Sequence, residues 1–303
     1  MSSQTPIDTL PNELLIDILS PFSTADILPL LPISRHFHSV ILRILRQRLT
    51  RATSLPDHRL ILEAYHPSAK LSTPYLYCDY LYTDKTLHGK EQEEQTGGSD
   101  GGTLQSLSQT YSHFRPVVQE ENQRARARYR SRLLAQQSSS GDGEGGGGDA
   151  KPPPEWQLET IPSHEVFLDE DEMFSQLCTV TNLVKTGPKP GLFLSHVNVS
   201  DGLIRIKRDW LAARARKGGD SDDEDAILWA DAARTVGVRF RVREMDTGIE
   251  RPVLVAEGEE IAVSYRLEYV ELLVRTSRLL MMVEKSEGQE IDPQGGAVVI
   301  AAV

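Results

Sequence analysis

The chain has 303 residues, 39% of them hydrophobic, and a formal net charge of −11. That acidic balance argues against a nucleic-acid binder, which needs a basic face to neutralise phosphates, and no stretch approaches the roughly 20 apolar residues of a membrane span. The opening MSSQTPIDTL has no basic segment followed by an apolar core, so no secretory signal is expected, and the only two cysteines, Cys78 and Cys178, read as reduced thiols of a cytoplasmic or nuclear protein.

Residues 1–50 read as three short helices. In LPNELLIDILSPF, residues 10–22, Pro11 suits the first helical position and Pro21 ends the helix. Leu14, Leu15, Ile18 and Leu19 cover an arc of about 140°, more than one small domain's interior would use. A second helix starts at Ser23, whose hydroxyl can cap with Asp26 three residues on. It carries Ile27, Leu28, Leu30 and Leu31 but is limited by Pro29 and Pro32. A third starts near Ser34, with Phe37, Val40, Ile41, Ile44, Leu45 and Leu49 as its apolar stripe. Three helices in about forty residues cannot bury a sufficient core alone. Their surplus apolar surface must pack on the rest of the chain or dock on another protein.

Residues 51–88 form an extension in which Tyr75, Tyr77, Tyr80, Leu81 and Tyr82 predict one or two strands or an ordered packing segment. Residues 89–155 read as a flexible linker, rich in glycine, serine and acid at both ends. Inside it lie arginines at 124, 126, 128, 130 and 132; a spacing of two spreads them around a helix rather than along one face. Such a segment is a basic arm for an acidic partner or, more commonly, a solvated helix or unstructured stretch.

Residues 156–303 are read as a β-rich domain. GVRFRVRE alternates Val238, Phe240 and Val242 against Arg239, Arg241 and Arg243, the pattern of a half-buried strand. RPVLVAE predicts a second strand, EEIAVSYRLEYVELLVRT one or two more, and RLLMMVEKS closes the set. LFLSHVNV and LIRIKRDW flank Ser200–Asp201–Gly202 as a hairpin would. The last six residues, from Val298, suit an edge strand or a free tail. The expected class is therefore α+β: a three-helix module, a linker, and a mostly antiparallel sandwich or barrel.

No Gly-x-Ser-x-Gly elbow or phosphate-cradling Gly-x-x-x-x-Gly-Lys-Ser/Thr loop occurs. His36 and His38 sit two apart on a helix and point about 200° apart, so they cannot share a metal. The acid run Asp169–Glu172 reads as a solvated turn or a helix start rather than a cation site. No catalytic residue, metal or cofactor is expected.

The segment LPNELLIDILSPFSTADILPLLPISRHFHSVI resembles the F-box. It carries a Leu-Pro start, an acid-Leu-Leu group, an Ile-Leu pair, an acid before Ile-Leu, and Ile-Ser-Arg-x-aromatic. The resemblance, which is to F-box proteins of filamentous fungi, runs from Leu10 to about Leu49, roughly one-sixth of the chain. It implies a three-helix module that docks on the Skp adaptor of cullin–RING ubiquitin ligases. By that resemblance Leu10, Pro11, Leu14, Leu15, Ile18, Ile27, Leu30, Ile33, Ser34 and Phe37 contact the adaptor or set the helices for it. Two features depart from the family pattern: Phe37 stands where many members have tryptophan, and Pro29 and Pro32 shorten the second helix.

Such chains pair the docking module with a domain that recruits a protein substrate for ubiquitination. Residues 156–303 are the candidate, and their strand pattern is also similar to the lectin-type domain of F-box proteins related to phloem lectins. Trp210 and Trp229 are the residues that could stack on a ligand, although rings of this kind more often bury against a core or its rim. The alternative expectation is a ligand-binding, lectin-like β-domain whose N-terminal helices are only structural. The two differ in whether the apolar face of Leu10–Phe37 is free.

Overall fold

The computed structural model describes residues 7, 10–70, 73–84, 104–118, 161–187, 192–218, 223–245, 262–291 and 298–299. Caps and prolines set the N-terminal helices. Pro11 adopts ψ 149° at the N-cap, so α1 spans Asn12–Leu19 and starts one residue later than expected. The Ser23 hydroxyl accepts the Asp26 N–H at the start of α2 (Thr24–Ile27) and donates to the Asp26 carboxylate at 2.5 Å. Ser34 caps α3 by accepting the Phe37 N–H, and α3 runs Arg35–Thr53, past the expected end of the module at 50. Leu15, Leu19, Ile27, Phe37, Ile41 and Ile44 close into a core within the bundle. The far end of α3 enters a different core, where Leu49 and Ala52 pack among the strands.

The strands are β1 (His58–Tyr65), β2 (Leu76–Asp84), β3 (Tyr111–Val117), β4 (Ser163–Leu168), β5 (Phe174–Thr186), β6 (Leu192–Lys207), β7 (Ile227–Trp229), β8 (Val236–Met245), β9 (Val263–Arg275) and β10 (Val298–Val299). The described residues also form three further α-helices: α4 (Leu104–Ser108), α5 (Arg208–Lys217) and α6 (Thr276–Ile291). All ten strands join one sheet in the order β10-β6-β5-β1-β2-β3-β9-β8-β7, with β4 paired to β9. Every pairing is antiparallel. The sheet curls into a nearly closed barrel. Its core includes Leu60, Leu62, Phe114, Leu183, Ile206, Val238, Leu267 and Leu272, with Leu279 and Val283 of α6. Within β6, Gly202 lies so close to Ala230 that an added Cβ would fall 2.3 Å from its carbonyl oxygen.

Four expectations are corrected. The expected linker contains β3, which lies between β2 and β9. The extension at 51–88 is two strands of the same sheet as the C-terminal ones, since β1 pairs β5 over eight residues. Ser200–Asp201–Gly202 is not a hairpin turn: β6 runs through it for sixteen residues. The pairs Thr181–Ser200 and Asn182–Asn198 leave Val199 as a bulge, and Arg278 donates to the Val199 carbonyl at 3.1 Å. The glycine there serves close backbone approach instead of a turn. Finally, RLLMMVEKS belongs to helix α6.

Other readings hold or fall outside view. EEIAVSYRLEYVELLVRT contributes one strand, β9, and GVRFRVRE lies within β8 with Val238, Phe240 and Val242 in the core. The tail pairs β6 through Val298 and Val299. The second strand expected in RPVLVAE and the arginine arm at 124–132 lie outside the described residues. Cys78 is a buried free thiol, pushed up in pKa by burial above all, and Cys178 is free and half-buried. Among the described residues no helix is long and apolar enough to cross a membrane.

One polar clamp ties the bundle to the barrel. The Glu284 carboxylate of α6 accepts the Thr24 N–H at 2.9 Å and the Thr24 hydroxyl at 2.6 Å. Arg48 donates to Glu284 at 3.1 Å and to the carbonyls of Ser20 and Phe22 at 3.1 and 2.5 Å. Glu284→Ala strips α2 of its anionic cap and Arg48 of its counter-ion. Such charge-assisted bonds are worth about 2 kcal/mol together. Urea unfolding of the variant is expected to show a lower midpoint with an unchanged slope.

Candidate functional site

The ten residues singled out in the N-terminal helices fall into three groups. Leu15 and Ile27 are 0% exposed and Phe37 only 4%, so they build the bundle and offer nothing to a partner. Leu14, Ile18 and Ile33 are 49%, 44% and 57% exposed, beside the exposed Pro11. Leu10, Leu30 and Ser34 are half-buried. Helical geometry explains the division on α1. Leu14 and Ile18 lie one turn apart on one edge, and Leu15 and Leu19 on the other, so about half of the wide apolar arc faces inward. A His36 ring nitrogen lies 3.3 Å from the Leu10 carbonyl, joining the starts of α1 and α3. Phe22, 51% exposed, is a further exposed apolar residue of these helices and was missed. It follows Pro21 outside any helical period, and the turn is held by the Phe22 N–H donating to the Leu19 carbonyl at 3.2 Å and by Arg48 donating to the Phe22 carbonyl.

On the barrel, the two tryptophans meet. Trp210 of α5 and Trp229 of β7 line one cavity of about 550 Å³, with Tyr111, Arg234 and Arg275 among the other lining residues. The two rings are half-buried at the rim. The Trp210 indole N–H donates to the Asp225 carbonyl at 2.8 Å. The Tyr111 and Trp229 rings stand 5.4 Å apart at 52°. The Arg234 guanidinium lies 5.8 Å from the Trp229 ring centroid, and that of Arg275 5.7 Å from the Tyr111 centroid. The Tyr111 hydroxyl donates to the Arg234 carbonyl at 2.6 Å, and Arg275 donates to the Ala233 carbonyl at 2.7 Å. Arg234 sits at φ 52°, in the left-handed region that a residue other than glycine seldom occupies.

The other two cations of this cavity, Arg214 and Lys217, face acids, and Glu224 and Asp225 are themselves among its lining residues. Asp223 accepts from Lys217 at 2.9 Å and pairs with Arg214 at 3.4 Å. The Lys217 hydrogen bond and charge hold the Asp223 carboxyl below its usual range against desolvation, and the Arg214 charge adds least. Arg234 and Arg275 have no carboxylate partner among the described residues.

Gly237 of β8 makes room for this wall. A Cβ there would fall 2.8 Å from Cε3 of Trp229 and 2.8 Å from Cγ2 of Ile227. Gly237→Val is expected to displace the indole, shift the tryptophan emission and lower Tm, with a destabilisation of about 1–3 kcal/mol from overpacking.

A row of polar side chains crosses the outer face of four neighbouring strands. Tyr82 of β2 stacks on His113 of β3 at 4.3 Å and 11°. His113 Nδ1 lies 3.2 Å from Oε1 of Glu271 on β9, and Arg239 of β8 lies 3.1 Å from Oε2. The arginines of GVRFRVRE are thus paired across the sheet. Glu268 also faces Arg243 at 3.1 Å and Arg241 at 3.7 Å. Burial pushes the Glu271 carboxyl up, but the His113 hydrogen bond and charge, the Arg239 charge and a Tyr82 hydrogen bond outweigh it and hold the pKa below the ordinary value. Alternation in sequence showed the arginines but not their partners, which come from strands far apart in the chain.

Compared with protein-family models, curated proteins and solved structures, the chain matches none.

Proposed function

We propose that the chain is a non-catalytic substrate receptor. Its N-terminal helices dock on the Skp adaptor of a cullin–RING ubiquitin ligase, and its barrel recruits the protein to be ubiquitinated. One observation carries the reading: Leu14, Ile18, Phe22 and Ile33 remain exposed on a bundle whose inner core is already filled by Leu15, Ile27 and Phe37. Exposed apolar side chains gathered on one short module are the mark of a partner surface, and they fall in the segment that resembles the F-box. A receptor of this kind performs no chemistry; it raises the local concentration of target lysines near a charged conjugating enzyme.

The other reading, a ligand-binding barrel with helices that are only structural, draws on the Glu284 clamp, which integrates α2 with α6. Size-exclusion chromatography of the purified chain with the Skp adaptor separates the two. Co-elution as a single complex is the expected result. Separate elution of a well-folded chain would leave the helices as a cap on the barrel.

A further inference from the structure

We infer that the cavity between α5, β7 and β3 binds an acidic peptide segment, the two guanidiniums of Arg234 and Arg275 taking its carboxylates; this rests on the receptor reading for the protein origin of the ligand. Three observations converge. The first is charge: Arg214 and Lys217 share Asp223, with Asp225 a further 3.9 Å from Lys217, and Glu224 also lines the cavity, whereas Arg234 and Arg275 have no carboxylate partner among the described residues. The second is preorganisation. Both guanidiniums lie against aromatic rings, and Arg275 is further held by the Ala233 carbonyl. A fixed, planar guanidinium loses little freedom on meeting a carboxylate and binds it with directed hydrogen bonds.

The third is backbone conformation. Arg234 occupies φ 52°, where glycine would fit without penalty. An arginine kept at such a position is the kind of outlier that gathers at ligand-binding sites. Its backbone carbonyl is fastened by the Tyr111 hydroxyl at 2.6 Å, and its side chain is thereby placed over Trp229. Ile227 and Leu228 also line the cavity, so an apolar residue beside the acid would find a matching wall. A volume of about 550 Å³ lies within the range of small-ligand sites and admits a few side chains.

The test is calorimetric titration of the full chain, without adaptor, with a blocked pentapeptide holding two glutamates around a leucine. The same peptide with glutamines and free sodium glutamate serve as controls. Arg234→Gly is the variant of choice, because it removes the guanidinium while suiting the backbone, so Tm is expected to stay or rise. Expected are binding of the acidic peptide that weakens with added salt, and a loss of about tenfold or more both with the glutamine peptide and with Arg234→Gly. The chain with Leu14→Asp and Ile18→Asp should bind the peptide as the native chain does. Peptide binding without adaptor co-elution would then sink the receptor reading alone. No binding by the folded native chain, equal binding by Arg234→Gly or by the glutamine peptide, or free glutamate binding as tightly as the peptide would overturn the inference.

Discussion

A chain carrying Leu14→Asp and Ile18→Asp is expected to fold as the native protein does and to lose the Skp adaptor. Both side chains are about half exposed in the free chain, at 49% and 44%. Aspartate at either position therefore meets water, and the change in folding stability should stay within about 0.5 kcal/mol per site. In a complex the same carboxylates would be buried at an apolar contact without a partner. Burying an unpaired charge costs several kcal/mol, so the double variant should bind at least about a thousandfold more weakly. Leu15→Asp makes the contrast. Leu15 is 0% exposed inside the bundle, and its replacement should unfold the helices outright. Circular dichroism alongside the binding assay distinguishes the two: folded and unable to bind for the first variant, unfolded for the second.

Glu271→Ala is expected to destabilise the barrel by about 3 kcal/mol, as for breaking a buried ion pair. Glu271 is 5% exposed and faces His113 at 3.2 Å and Arg239 at 3.1 Å. The alanine removes the carboxylate that joins β3 to β8 through β9 while its basic neighbours stay buried. The same carboxylate gives stability a defined pH dependence. Its folded pKa is held below the unfolded value of about 4.3. The stabilisation is therefore present above that pH and is lost as pH falls through the folded pKa. Thermal unfolding of the native chain should show a falling Tm on the acid side, and Glu271→Gln should flatten that limb. A native-like acid limb in Glu271→Gln would assign the acid sensitivity to other carboxylates.

Local chemistry made the N-terminal helices readable. Ser23, Ser34, Pro11 and Pro21 are caps and stops whose effects reach only a few residues, and the start of each helix fell within a residue of its signal. The barrel was legible only as alternation. RLLMMVEKS looked like a strand because a short apolar run does not distinguish strand from helix; the sixteen-residue α6 buries Leu279, Leu280, Met282, Val283 and Ser286 against neighbours from other elements. The strand β3 was hidden by the linker around it and by Pro116. That proline is tolerated because β9 pairs with Tyr111–Phe114 only, while Pro116 lies beyond, opposite Cys78 of β2. The fusion of β1 and β2 with the C-terminal strands is a long-range pairing that no local signal encodes.

The candidate sites follow the same logic. The amount of apolar surface on α1 was visible from its arc, but which half faced outward depended on where α3 packs. Trp210 and Trp229 stood out individually. Their meeting at one cavity depends on α5 crossing β8 and β7 pairing with it. Nothing in DAARTVG announces that Arg234 has a positive φ or that its guanidinium lies over an indole.

The most direct test of the central claim is amide hydrogen exchange of the full chain with and without the Skp adaptor. New protection is expected in residues 10–37, centred on α1 and the Phe22 turn, with the exchange of β1–β9 unchanged. Protection confined to the barrel, or none at adaptor concentrations that saturate other receptors, would contradict it.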